Sequence, residues 1–215
     1  MKPVGSFSGL VACGVAMAAT FWVASSAQAA EGKAVVRSVR GTGQYAVQGG
    51  EFKPLRVAQV LGSGTSVKAG TSSVIDLFMY ENGPVVRVTS DTTLELDKLT
   101  LDRTGVDVVI ETQLDLKAGT ILGSVKKLAD ASKYEVTTPY TVCAIKGTEY
   151  QISADGVHHA ITGSLLVVYV NPINKQPTTL TVNAGQTFIP PATPTPKRGR
   201  MTPGAQGTCS PLPRP

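Results

Sequence analysis

Short runs of β-branched and aromatic residues, each closed by a turn, recur along most of this chain and restrict it to β structure. The segments KAVVRSVRG, GQYAVQ, SSVIDLFMY, PVVRVTS, TLELDKLTL, VDVVIETQLDLKAG, YEVTT, LLVVYV and TLTVNAG alternate apolar with polar positions over several residues. A period of two sends alternate side chains to a buried face and to water, and Val, Ile, Thr and Tyr suit that pleated surface. Gly, Asn, Asp and Pro separate the runs. In the sixth run Val106, Val108 and Ile110 fall on one face and Asp107, Val109 and Glu111 on the other. The one helical candidate, SVKKLADASK, is short and reads equally well as a loop.

Four segments share a turn signature. LGSGTSV (61–67), LKAGTIL (116–122), ITGSLLV (161–167) and VNAGQTF (182–188) each put a glycine before a small polar residue and a new strand. Glycine accepts positive φ at little steric cost, so each is expected to be a tight reversal. Their unequal spacing excludes a strict repeat family. The expectation is an all-β single domain over residues 30–189, a solenoid-like stack of short strands that partly closes into a sandwich.

The chain ends read differently. Lys2 precedes an apolar stretch from Gly9 to Ala24 and then SSAQAA, with small residues at Ala27 and Ala29. That pattern is a secretory signal over residues 1–29, cleaved between Ala29 and Ala30. The apolar run is shorter than the roughly 20 residues a spanning helix needs. LVAC at 10–13 resembles a lipobox, but the apolar run continues past Cys13. The expected location is therefore periplasmic or extracellular, with no membrane span after processing. Residues 190–215 hold eight of the 14 prolines together with Lys197, Arg198, Arg200 and Arg214, and no acid. Such a composition buries too little surface to offset chain entropy, so a basic disordered tail is expected, with electrostatic contact to an anionic surface. Residues 30–189 contain 15 basic and 15 acidic residues. The body is formally neutral, which argues against nucleic acid as a partner.

The stretch YEVTTPYTVCAIKGTEYQI (134–152) carries the strongest local information. Tyr134, Val136 and Thr138 share a face, and Pro139 removes a ladder donor. Cys143 and Ile145 then alternate, whereas beyond Gly147 the large apolar residues are Tyr150 and Ile152. The apolar phase moves by one, which a bulge or sharp corner at Lys146 and Gly147 would absorb. Thr138 with Pro139, and Gly147 with Thr148, are expected to be corner devices that pass the chain from one sheet or coil to the next.

This stretch, preceded by LDLKAGTILGSVKK, resembles the carboxy-terminal half of the FecR domain, the periplasmic module named after the ferric citrate regulator. Gly119, Val125, Val136, Thr138, Pro139, Val142, Gly147, Thr148 and Tyr150 follow the family pattern in order. LRVAQVLGSGTSVKAGTSSVIDLFM resembles the domain's opening section, and ITGSLLVVYV with LTVNAGQTF the segment that commonly follows. YENGPVVRV stands where the family usually has a DGS turn, and Lys146 replaces a frequent arginine. The resemblance implies a regulator built from a cytoplasmic anti-sigma segment, one membrane helix and a periplasmic domain that receives a signal from an outer-membrane transporter. Only the last part is expected here, as a free-standing secreted member.

Candidate chemistry is sparse. Cys143 with His158 or His159 is a conceivable nucleophile and base, but a strand-like run surrounds the cysteine. The His158–His159 pair with Asp155 or Glu149 is a conceivable metal site, yet adjacent strand residues point to opposite faces. Cys143 and Cys209 permit a disulfide worth about 4 kcal/mol in the chain-entropy model, while Cys143 also reads as a small core residue. No catalytic residue, cofactor or metal site is therefore assigned. The expected function is a non-enzymatic periplasmic or cell-envelope module that binds an envelope protein or polymer through sheet edges and loops. The alternative is an accessory of envelope signalling that works with a separate membrane anti-sigma regulator or a TonB-dependent transporter.

Overall fold

A computed structural model describes residues 30–83 and 85–191. The expected signal segment, Cys13, Cys209 and nearly all of the proline-rich tail lie outside the described residues. The first strands are β1 (Ala30–Glu31), β2 (Ala34–Arg40), β3 (Gly43–Val47), β4 (Lys53–Pro54), β5 (Val60–Leu61) and β6 (Thr65–Ala69). There follow β7 (Val74–Phe78), β8 (Val85–Val88), β9 (Thr93–Asp102), β10 (Val109–Ala118), β11 (Thr120–Ser124) and β12 (Lys133–Thr137). The last are β13 (Thr141–Ile145), β14 (Glu149–Ser153), β15 (His158–Thr162), β16 (Ser164–Val170), β17 (Pro177–Asn183) and β18 (Thr187–Phe188).

These strands form two open sheets. The larger runs β17, β16, β13, β12, β10, β9, β6, β3, β4, with β1 also on β9; the smaller runs β18, β15, β14, β11, β8, β7, β2, β5. Both orders follow the sequence closely, so the chain lays down the sandwich from one end to the other while stepping between its layers. Among the described residues one pairing is parallel, β10 with β12. Between those two strands the chain crosses to β11 in the other sheet and returns, which makes one solenoid-like coil inside an otherwise antiparallel sandwich.

The core follows from the alternation. Leu94, Leu96, Leu114, Leu116, Val136 and Val167 of the larger sheet and Val36, Ile75, Leu77, Val88, Ile121 and Ile152 of the smaller are fully buried or nearly so. Burying such a side chain stabilises the fold by roughly 1.5–3 kcal/mol. In β9 the apolar phase changes from Leu94 and Leu96 to Leu99 and Leu101, all buried. The β10 partner passes from Lys98 to Leu96, leaving Asp97 as the extra residue of a bulge. The bulge returns both pairs of leucines to the interior.

The four recurrent glycines, Gly64, Gly119, Gly163 and Gly185, all take positive φ, from +69° to +81°. Three readings need correction. Residues 106–108 form a loop and not a strand, and Val106 is fully exposed, because the β9–β10 ladder closes at Val109. Residues 125–132 carry no regular secondary structure, which removes the helical option for SVKKLADASK. Thr138 and Pro139 do not carry the chain between sheets: β12 and β13 pair with each other in the larger sheet, so the TP turn closes a hairpin. Threonine chemistry shapes that hairpin. Thr138 Oγ1 accepts N–H groups from Tyr140 and Thr141 at 3.3 and 3.0 Å, and Thr138 N–H donates to the Thr141 carbonyl at 2.8 Å.

Candidate functional site

Gly147 stands where the chain leaves β13 in the larger sheet for β14 in the smaller. Its φ is +69°, and a Cβ built there would lie 3.4 Å from the Lys127 Cα. Thr148 fastens the corner from the other side. Its Oγ1 donates to the Ser164 carbonyl at 2.7 Å and accepts the Ser164 N–H at 3.2 Å, while its carbonyl accepts the Val125 N–H at 2.9 Å. Lys146 Nζ reaches Asp130 Oδ1 at 2.6 Å. Together these contacts hold the 125–132 segment against one rim of the sandwich.

On that rim the β7–β8 connection makes a 3-10 turn at Tyr80–Asn82. Tyr80 has φ +51°, a backbone that bulky side chains rarely adopt. The turn is over-determined by its neighbours. Met79 is fully buried and Asn82 nearly so; Asn82 Nδ2 donates to the Thr100 carbonyl and to Thr112 Oγ1, both at 3.0 Å. Tyr80 itself is 54% exposed, so burial does little to offset a backbone cost of roughly 1 kcal/mol or more. Its ring lies 4.8 Å from that of Phe78, and the Arg37 guanidinium sits 4.9 Å from the Phe78 centroid.

A cleft of about 340 Å³ lies between this turn and the 126–129 segment and is also lined by Val108, Ile110 and Leu128. A second cleft of about 350 Å³ lies beyond Tyr80 and Glu81 and reaches Glu31, Val60 and Arg103. Tyr80 is therefore a ledge between two concavities. Arg103 Nη2 contacts both Glu81 carboxylate oxygens, at 2.7 and 2.6 Å. Lys126 and Lys127 are exposed beside the first cleft, and neither joins an ion pair among the described residues.

The family model described as FecR protein matches residues 65–186. The chain belongs to the FecR family. No curated protein and no solved structure matches it. The matched span of this FecR domain begins at β6 and includes the Gly147 corner, the Tyr80 turn and the 125–132 segment. The family is regulatory and associated with the cell envelope.

The interior of the FecR domain also joins two of the residues weighed for chemistry. Thr141 Oγ1 lies 2.7 Å from His158 Nε2 and 3.9 Å from Cys143 Sγ, and both Cys143 and His158 are fully buried. Burial pushes the Cys143 thiol up to about 12 and His158 down to about 4. At neutral pH the thiol keeps its proton and the imidazole is uncharged, the reverse of an activated thiolate–imidazolium pair. Among the described residues His158 Nδ1 has no hydrogen-bond partner, and the ring stacks on Phe188 at 5.9 Å. His159 faces the other side of β15, where its Nδ1 meets Thr187 Oγ1 at 2.8 Å. Asp155 Oδ1 accepts the Val157 N–H at 3.1 Å in a turn, and Glu149 is exposed.

Sequence reasoning placed Gly147 and Thr148 at the corner but missed Phe78, Tyr80, Lys126 and Lys127 as one constellation. The available signal was LFMYENGP, in which aromatic residues two apart run straight into a turn. A strand end that carries aromatics into a loop is a candidate surface ledge. Nothing in the spacing brings residue 80 beside residue 127.

Proposed function

We propose that the chain is a secreted, non-enzymatic binding module of the cell envelope. The leader would be cleaved between Ala29 and Ala30, residues 30–189 would fold as one domain, and residues 190–215 would act as a basic spacer. In polyproline geometry those 26 residues would reach about 80 Å. The observation that carries the reading is the exposed, strained Tyr80 ledge between two clefts on a rim fixed by the Gly147 corner. A rigid aromatic beside a concavity is the usual anchor of a protein interface. The edge of the larger sheet adds a second element: β17 has seven residues, no charge and no register shift against β16.

Photo-crosslinking tests the module. A benzoylphenylalanine at position 80 should give a discrete protein adduct in envelope extracts, and one at Asp155 should not. Equal labelling from both positions, or none from either, overturns the reading. Membership in a regulatory family favours a second version, in which the partner is a membrane anti-sigma regulator or a TonB-dependent transporter. Loss of a sigma-dependent transcriptional response on deleting the gene selects that version.

A further inference from the structure

We propose that the Tyr80 cleft takes an acidic peptide segment of a protein partner, seating one apolar side chain on its apolar lining with flanking carboxylates on Lys126 and Lys127. The inference rests on the binding-module reading and names the chemistry of its site.

Charge supports it first. Among the described residues that line the cleft the one acid, Glu81, is already engaged by Arg103, whereas Lys126 and Lys127 are exposed and join no ion pair. The uncompensated charge is positive, so the complementary ligand is anionic. The chain's own segment 192–215 contains four basic residues and no acid, which rules it out as the occupant. A second copy has no excess of acid over base in residues 30–189 either.

Shape and lining then separate the anionic candidates. Val108, Ile110 and Leu128 line the cleft together with Tyr80, and about 340 Å³ accommodates one or two side chains. The lining is largely apolar, with its positive charge carried by the two lysines, which suits a ligand that pairs an apolar group with carboxylates. A peptide meets both demands, with an apolar anchor below and carboxylates at the rim. The ledge is also preorganised: Tyr80 is held by buried Met79 and Asn82 and braced by Phe78, so little freedom is lost on binding.

The test is a random peptide library displayed on phage and panned against the purified chain, followed by fluorescence anisotropy with one enriched peptide. Enriched sequences should centre on Leu, Phe or Trp flanked by Asp or Glu. Binding should weaken at least 30-fold in Lys126→Glu/Lys127→Glu and at least 10-fold in Tyr80→Gly, with unchanged melting curves. Amide shifts on peptide addition should concentrate in residues 78–83 and 125–129. Enriched peptides without acidic residues, affinities within twofold of the parent in both variants, failure to enrich any peptide, or displacement by equimolar oligoglucuronate each overturn the proposal. A position-80 crosslink to an envelope protein that survives the lysine reversal leaves the binding module standing and removes the acidic-peptide site alone.

Discussion

The Gly147 corner and the Tyr80 turn border the same rim, and both need left-handed backbone, at φ +69° and +51°. Gly147 supplies that geometry with the residue for which it costs least, and Thr148 beside it is buried and tied to two other segments. Tyr80 supplies it with a bulky aromatic whose ring stands largely in water. The backbone requirement is similar and the side chains are opposite. One reversal exists to hold the stack together; the other is held by the stack so that it can present a ring. If that contrast is right, changes at the corner move stability, and changes at the ledge move binding.

The sharpest way to break the contrast is Gly147→Val. A β-branched residue at positive φ is strained, and its γ-methyls would press on the Lys127 backbone. The expected loss is about 3 kcal/mol by urea unfolding, with Gly147→Ala losing about 1–2 kcal/mol because its Cβ still has room. A valine variant as stable as the parent would show that the corner tolerates ordinary side chains.

Acid attacks the same side of the comparison. Thr141 lies on β13, the strand that runs into the corner, and it is bonded to His158. The folded state holds His158 neutral down to about pH 4, against 6.5 for an unperturbed imidazole. Above 6.5 the contribution is complete; as pH falls from 6.5 to about 4 the unfolded chain takes up a proton that the folded chain refuses, and stability declines. The total is on the order of 3 kcal/mol. Urea unfolding at pH 7.5, 5.5 and 4.5 should show this slope in the parent and its loss in His158→Gln. A slope that persists in the variant assigns it to other groups.

How much of this was legible depends on the range of the signal. Glycine turns and period-two strands are local, so the all-β class and the positive φ at Gly64, Gly119, Gly163 and Gly185 could be read from neighbours alone. The bulge at Asp97 was equally local: Leu94, Leu96, Leu99 and Leu101 already show the phase change. The TP turn was misread because a proline break is compatible with either a hairpin or a sheet change, and the partner strand decides which. The cleft was illegible for a stronger reason. Its walls meet through the β7–β8 turn, the β9–β10 loop and the segment after β11, a juxtaposition made by pairing of distant strands and by the parallel coil of β10 to β12.

Smaller changes sharpen the contrast. Thr148→Val keeps the shape of the side chain but leaves the Ser164 carbonyl and N–H without their partner. An expected loss of about 1–2 kcal/mol follows from removing two part-buried hydrogen bonds. Lys146→Ala, next to it in sequence, removes only the exposed pair with Asp130. A measured difference of less than about 0.5 kcal/mol is expected there. Near-equal losses for the two variants would mean that the corner is held by charge and not by the threonine.

The smallest stability effect should come from the most consequential surface residue. Replacing Tyr80 by glycine relieves the positive-φ strain, worth roughly 1 kcal/mol. It also removes the contact with Phe78, and aromatic pairs contribute about 0.5–1.5 kcal/mol. The two terms oppose each other, and Met79 and Asn82 still anchor the turn from either side. The expected shift in unfolding free energy is therefore within about 0.5 kcal/mol of zero, the scale of ordinary surface substitutions. Denaturant curves that overlay while peptide binding vanishes would place Tyr80 on the binding side of the molecule. A loss above about 2 kcal/mol would instead make its ring part of the packing and bring the two reversals under one explanation.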